Sequence, residues 1–338
     1  MTRLNREPST EQFARQWGVK LPESRDQPVS GNGRPSAHEE YMAARAGLVG
    51  RVPNEDARWR RLNNYYLNCI QDADRHVLEI LDELDDLGMS DNTIVILTSD
   101  HGEHAGAHGL SGKGATGYRE QQNVPLIISH PGMPGGKHCR AVTSHLDIAT
   151  TLVSMAGGDS IVQGALPGHD ISPLLLDPES AGFETLRSGA LFNYNMFAYQ
   201  DADFLMNVSR FIREGGKLSD LPSKGWRPDL GKRGAIRSVF DGRYKMNRYF
   251  SPKEHHSPRS IEELFANNDV ELFDLESDPI EVNNLATDPR RHGELLLAMN
   301  EKLNLLIETE VGEDRGQMLP TGPDANWTLD ASLGTLRM

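Results

Sequence analysis

The residues 91–114, DNTIVILTSDHGEHAGAHGLSGKG, constrain this chain more than any other stretch. A β-branched and aliphatic run, Thr93 to Thr98, has the length and composition of a strand buried on both faces of an α/β sheet. The sequence then switches to Asp100, His101, Gly102, Glu103, His104 and His108, with Lys113 between two glycines. Ligands of open α/β sheets bind beyond the carboxyl ends of the strands. A hard acid, several imidazoles and one positioned cation therefore fall where chemistry is expected.

The surrounding pattern supports that placement. From Ala57 to Leu87, apolar residues recur at three- and four-residue steps (Leu62, Tyr66, Cys69, Ala73, Val77, Leu81, Leu84), and Gly88 supplies a helix stop. A second apolar run, Val124 to Ser129, follows the His-rich loop, and a short helix is expected over Ile148–Ala156. Helix, strand, loop, strand, helix is α/β organisation. The first segment, rich in Pro, Gly, Ser and charge, reads as an irregular surface arm. After LPGHDISPLLLDPES the chain alternates short strand-like runs (Ala190–Phe192, Ala235–Phe240, Tyr244–Tyr249, and ELFDL at 271–275) with polar loops. It closes on an amphipathic helix near Arg291–Glu308. The expected division is a 1–56 arm, a 57–189 core, a 190–310 α+β subdomain and a 311–338 tail.

With 49 acidic against 35 basic residues, net −14, neither nucleic acid nor an anionic membrane is an expected partner. No apolar run approaches a membrane span, and MTRLNREPSTEQF has no signal-type apolar region. Two scattered cysteines, Cys69 and Cys139, fit a reducing, cytoplasmic location without disulfides.

Each chemical signal has a plainer alternative. Asp100 and His101 are adjacent potential ligands for a divalent ion, but Asp100 could also cap a helix; two ligands are too few for a site. His101, His104 and His108 could form a zinc cluster, though without the HExxH spacing. SGKG fails the phosphate-loop pattern, with Ala107 where its first glycine belongs and Gly114 in place of the hydroxyl residue. A lysine between glycines at a strand-end loop still complements a tetrahedral anion; the alternative is a solvated loop lysine.

TSDHGEHAGAHGLSGKG, then YREQQNVPLIISHPG and SHLDIATTLVSMAGG, closely resembles the second half of the sulfatases of the alkaline-phosphatase-like superfamily. NYYLNCIQDADRHVLEILDELDDLGMSDNTIV and ELFDLESDPIEVNNLATDP extend the resemblance, which runs from about Arg61 to Pro289. It implies an alkaline-phosphatase-like α/β domain, incomplete at its N-terminus, followed by a smaller α+β subdomain. It also implies a metal-dependent hydrolase of sulfuric acid esters: Asp100 and His101 as half of a calcium, magnesium or manganese site, Lys113 on the sulfate oxygens, and His108 as an active-site neighbour. The imidazole at the second metal position resembles the choline-sulfatase and phosphonate-monoester-hydrolase branch, so a phosphodiesterase or phosphonate hydrolase is the first alternative. His145 and Asp147 are expected to stabilise the loop and helix start.

The departures are as specific. The family's nucleophile lies in a C/S-x-P-x-R segment converted to formylglycine. Cys69 is followed by Ile-Gln-Asp-Ala and Cys139 by Arg-Ala-Val-Thr, while Ser24 precedes Arg-Asp-Gln-Pro and Ser36 precedes Ala-His-Glu-Glu. No equivalent of the family's paired N-terminal aspartates, or of its Gly-Lys-Trp-His-like stretch, is found. The chain reads as a sulfatase without roughly its first 150–200 residues, judged by domain size. The expected consequences are weak metal binding, an unpaired apolar sheet edge, and a partner in the form of an N-terminal half or a homo-oligomer. A truncated, non-catalytic scaffold is the second alternative.

Overall fold

The computed structural model describes residues 14–158, 166–195, 200–254 and 257–312. Residues 1–13 of the expected arm and nearly all of the expected tail lie outside the described residues. The arm is not irregular throughout. It contains helix α1 (Ser36–Leu48), whose Ala37, Tyr41 and Ala44 are buried. Pro35 supplies its entry, and the short apolar spacing Ala37–Tyr41–Ala44 sets its inward face, a signal hidden by the polar residues around it.

Helix α2 (Asp56–Asp86) is the expected long helix, 31 residues ending before Gly88, which takes φ +64°. It leads to strand β1 (Val95–Thr98), which pairs antiparallel with β2 (Leu126–Ser129), Val95 opposite Ser129 and Thr98 opposite Leu126. The one-turn helix α3 (Arg119–Gln122) precedes β2, and α4 (His145–Met155) follows it. β1 is not buried on both faces as its composition suggests. Leu97 is 43% exposed and Ile127 on β2 is 57% exposed, because these two strands form a sheet of their own. Apolar composition specifies what a strand can bury, and here no described element covers that face.

The C-terminal part is built on a four-stranded antiparallel sheet in the order β3 (Ala190–Tyr194), β4 (Ala235–Phe240), β5 (Tyr244–Phe250), β6 (Asn268–Asp274). Helix α5 (Ala202–Arg213) lies between β3 and β4, and α6 (Ile261–Asn267) between β5 and β6. The final helix α7 (Pro289–Glu310) packs Leu296, Met299, Leu303 and Leu306 against Val239, Met246, Val270 and Leu272 of the sheet. Alternation explains the register, because Met246 faces α7 while Tyr249 and Ile236 face the opposite cluster with Tyr41, Leu110 and Tyr118. That second cluster joins the arm, the His-rich loop and the C-terminal sheet. Among the described residues no helix is long and apolar enough to cross a membrane.

Candidate active site

Asp100 stands just beyond the carboxyl end of β1 and is highly exposed, its carboxylate open to solvent. The His101 amide donates to Asp100 Oδ1 at 2.9 Å. That bond, with the nearby Lys113 ammonium, holds the carboxyl below its usual range against the opposing effect of desolvation. The His101 ring is oriented by Nδ1, which donates to the Gly102 carbonyl at 2.9 Å. This leaves the Nε2 lone pair facing outward, 3.2 Å from Asp100 Oδ2. The Lys113 ammonium donates to that same Nε2. Asp100, His101 and Lys113 are thus brought together.

The loops that carry them are fixed by backbone bonds. Gly102 N–H donates to the Gln121 carbonyl at 2.9 Å, and a Cβ at Gly102 would lie 1.9 Å from the Glu120 carbonyl oxygen. Glu103 Oε1 accepts the Gly112 amide at 2.5 Å, and Gln121 Oε1 accepts the Gly114 amide at 2.7 Å, so the residues on both sides of Lys113 are tethered. Tyr41 Oη donates to the Ser111 carbonyl at 2.7 Å and Arg45 Nε to Ser111 Oγ at 2.9 Å. The arm therefore braces the lysine loop directly.

The three histidines do not converge. His104 is buried, with Nε2 on Thr116 Oγ1 at 2.7 Å, and burial lowers its pKa to about 3, so it is neutral at physiological pH. His108 does not join the exposed cluster. It is fully buried, stacks on Tyr118 with ring centroids 3.6 Å apart, and places Nδ1 2.9 Å from Gln27 Oε1. His145 and Asp147 take the stabilising places expected of them. His145 Nε2 donates to the Ser99 carbonyl at 2.9 Å, and Asp147 closes a capping box with Ser144 while accepting from Arg187 and the His169 amide.

A cation needs lone pairs at suitable spacing. Asp100 Oδ2 and His101 Nε2 offer two, 3.2 Å apart, close to the separation of neighbouring ligands with bonds of about 2.1 Å. They fit a divalent ion as part of a ligand set, and further donors are required to hold it. A cavity of ≈ 690 Å³ opens nearby, lined by Thr98, Arg119, Arg140, His145 and Phe192 among others. Among the described residues, one group of three or more potential ligands lies within mutual reach, namely His108, Glu120 and Glu281. No spacing signal in the sequence links Glu120 to Glu281, since 160 positions lie between them.

This architecture defines an α/β protein of alkaline-phosphatase-like fold. Over 87% of its length it superposes on a 2-O GAG sulfatase (TM-score 0.61, 19% identity, 52% of that chain). It superposes equally far on the phosphonate monoester hydrolase of Silicibacter pomeroyi (TM-score 0.58, 19% identity, 52% of that chain). Residues 22–158 match the Sulfatase family model. The endo-4-O-sulfatase of Bacteroides thetaiotaomicron is 28% identical over 243 residues, 71% of this chain and 41% of that protein. The chain spans about two-fifths of that relative and about half of the two solved structures.

Proposed function

We propose that the chain forms the metal and lysine side of a hydrolase of sulfuric acid esters. The observation that carries this reading is the convergence of Asp100, His101 and Lys113 at the end of β1, within the sulfatase-family segment. Asp100 Oδ2 and His101 Nε2 would hold part of a calcium, magnesium or manganese site. When bound, such an ion acts as a Lewis acid toward the ester oxygens. The Gly102 carbonyl fixes the His101 tautomer so that Nε2 keeps its lone pair. The Lys113 ammonium, tethered through Gly112 and Gly114, would turn from His101 to the sulfate and offset its developing charge. The cavity beside Thr98 and His145 gives room for the organic part of a small ester.

The attacking group is not among these residues, since no C/S-x-P-x-R segment occurs in the 338. The proposal accordingly includes an N-terminal half or a second copy as partner, and Lys113 and the metal pair as binding groups. His108 supports the loop in this reading. The division into arm, core, C-terminal subdomain and tail, and a cytoplasmic location in keeping with two free cysteines, belong to the same proposal. Phosphonate or phosphate ester hydrolysis is the second reading, favoured by the similar fold of the phosphonate monoester hydrolase.

Isothermal titration of the purified chain with sulfate and Mn²⁺ tests it. Metal-dependent sulfate binding should weaken at least about tenfold in Lys113→Ala and in Asp100→Asn, the loss of one charge-assisted contact. Sulfate binding that is absent, or indifferent to both substitutions, overturns the reading. Competition between an aryl sulfate and an aryl phosphonate ester separates the two substrate classes.

A further inference from the structure

A second group of ligand-type side chains lies largely inside the molecule, with His108 and Glu281 buried and Glu120 half-buried. His108 is held in the left-handed region (φ 57°), its amide donating to Ser24 Oγ at 3.0 Å and its ring stacked on Tyr118. Its Nδ1 donates to Gln27 Oε1, which leaves Nε2 with a lone pair. That lone pair faces Glu120 Oε2 at 3.4 Å, and neither atom makes a hydrogen bond. Glu281 contributes Oε1, fully buried and ion-paired with the Lys245 ammonium, and all three atoms lie within 4.8 Å of one another. Glu281 Oε2 is engaged separately by the Arg119 amide at 2.7 Å. Glu281 itself adopts φ 53° at the turn after β6.

Glu281 is already met by a cation, but the opposed lone pairs of His108 Nε2 and Glu120 Oε2 repel unless a cation stands between them as well. A proton on His108 Nε2 would make a charge-assisted bond to Glu120 of about 2.7–2.9 Å, shorter than the separation found. Two ligands of a tetrahedral ion with bonds of about 2.0–2.2 Å sit about 3.4 Å apart. A bond from the second ring nitrogen to an acceptor such as Gln27 is also what orients a metal-bound imidazole.

We propose that His108, Glu120 and Glu281 form a structural site for a zinc-class divalent cation, separate from the exposed Asp100 and His101 pair. It would fasten the neighbouring His-rich loop and α3 to the turn that follows β6, a segment far away in sequence. Lys245 is the competitor. Its buried Nζ lies 2.5 Å from Glu281 Oε1, so ammonium and metal contest one carboxylate. Removing that ammonium should therefore tighten metal binding, a response that a simple ion-pair network would not give.

Co²⁺ is the probe, because a tetrahedral site gives it intense visible absorption and an exposed oxygen-rich site does not. The purified chain should bind one equivalent with the tetrahedral spectrum, unchanged by Asp100→Asn. Lys245→Met should bind at least tenfold more tightly. His108→Gln and Glu281→Gln, checked for folding by circular dichroism, should lose the spectrum. No stoichiometric tetrahedral Co²⁺ in either the native chain or Lys245→Met overturns the proposal. So does a spectrum that Asp100→Asn abolishes and Glu281→Gln leaves intact.

Discussion

The Tyr249 hydroxyl on β5 accepts the Gly117 amide at 2.8 Å and donates to Glu271 Oε2 on β6 at 2.9 Å. One phenol thus joins the loop that carries Lys113 to the centre of the C-terminal sheet. Tyr118 adds a second bond to Glu271 and Asn247 a third, so the buried carboxyl is met by three donors.

Burial raises the Glu271 pKa above its ordinary value in spite of those donors. The folded state therefore binds this proton more tightly than the unfolded chain. Its contribution to stability is full below the ordinary glutamate range and declines as pH rises through the raised folded value. Urea unfolding of Glu271→Gln should show a gain relative to the native chain between pH 5 and pH 8. A difference that is flat with pH refutes the assignment.

His104 works in the opposite pH range. Desolvation depresses its pKa to about 3, so the folded state refuses a proton that the unfolded chain accepts near 6.5. The stability present above pH 6.5 is lost progressively as pH falls toward 3, on the order of 4 kcal/mol over the whole interval. His104→Gln keeps a donor for Thr116 and should flatten the acid limb of the stability curve over pH 4–6.

Arg187 sits between Asp147, to which it donates, and Glu310 at 2.9 Å, with its side chain 2% exposed. Arg187→Ala leaves the fully buried Asp147 carboxylate without its cation, which costs about 3–5 kcal/mol. Equilibrium unfolding in urea measures that loss. The double variant Asp147→Asn with Arg187→Met should recover a large part of it, since both charges are then gone.

Gly102→Ala should destabilise the chain by about 1–3 kcal/mol, because the added Cβ meets the Glu120 backbone oxygen and cannot be relieved by a rotamer change. Thermal unfolding checks it. Gly135→Ala, at a position with no atom within 4 Å of its Cβ, is the matched control and should change little.

Local pattern made much of this legible. The periodicity of residues 57–87 marks α2, the β-branched run marks β1, and the strand-end position of Asp100 and His101 anticipates their juxtaposition with Lys113. The partners of His108 were not legible, because Gln27 and Glu281 lie 81 and 173 positions away and only the tertiary fold brings them near. Helix α1 was concealed because its inward face is made by just three apolar residues, Ala37, Tyr41 and Ala44, with buried His38, among polar neighbours. The exposure of Leu97 was hidden for a different reason: composition reports a strand's appetite for burial, and what covers it is decided elsewhere.

The bracing of the lysine loop by Tyr41 and Arg45 has a consequence for recombination between relatives. A chimera that exchanges only residues 91–130 would import a loop cut to fit a foreign arm and a foreign Tyr249. The unit of exchange is discontinuous, comprising residues 22–48, 100–121 and the β5–β6 pair, and crossovers that respect it should yield folded progeny where contiguous swaps fail.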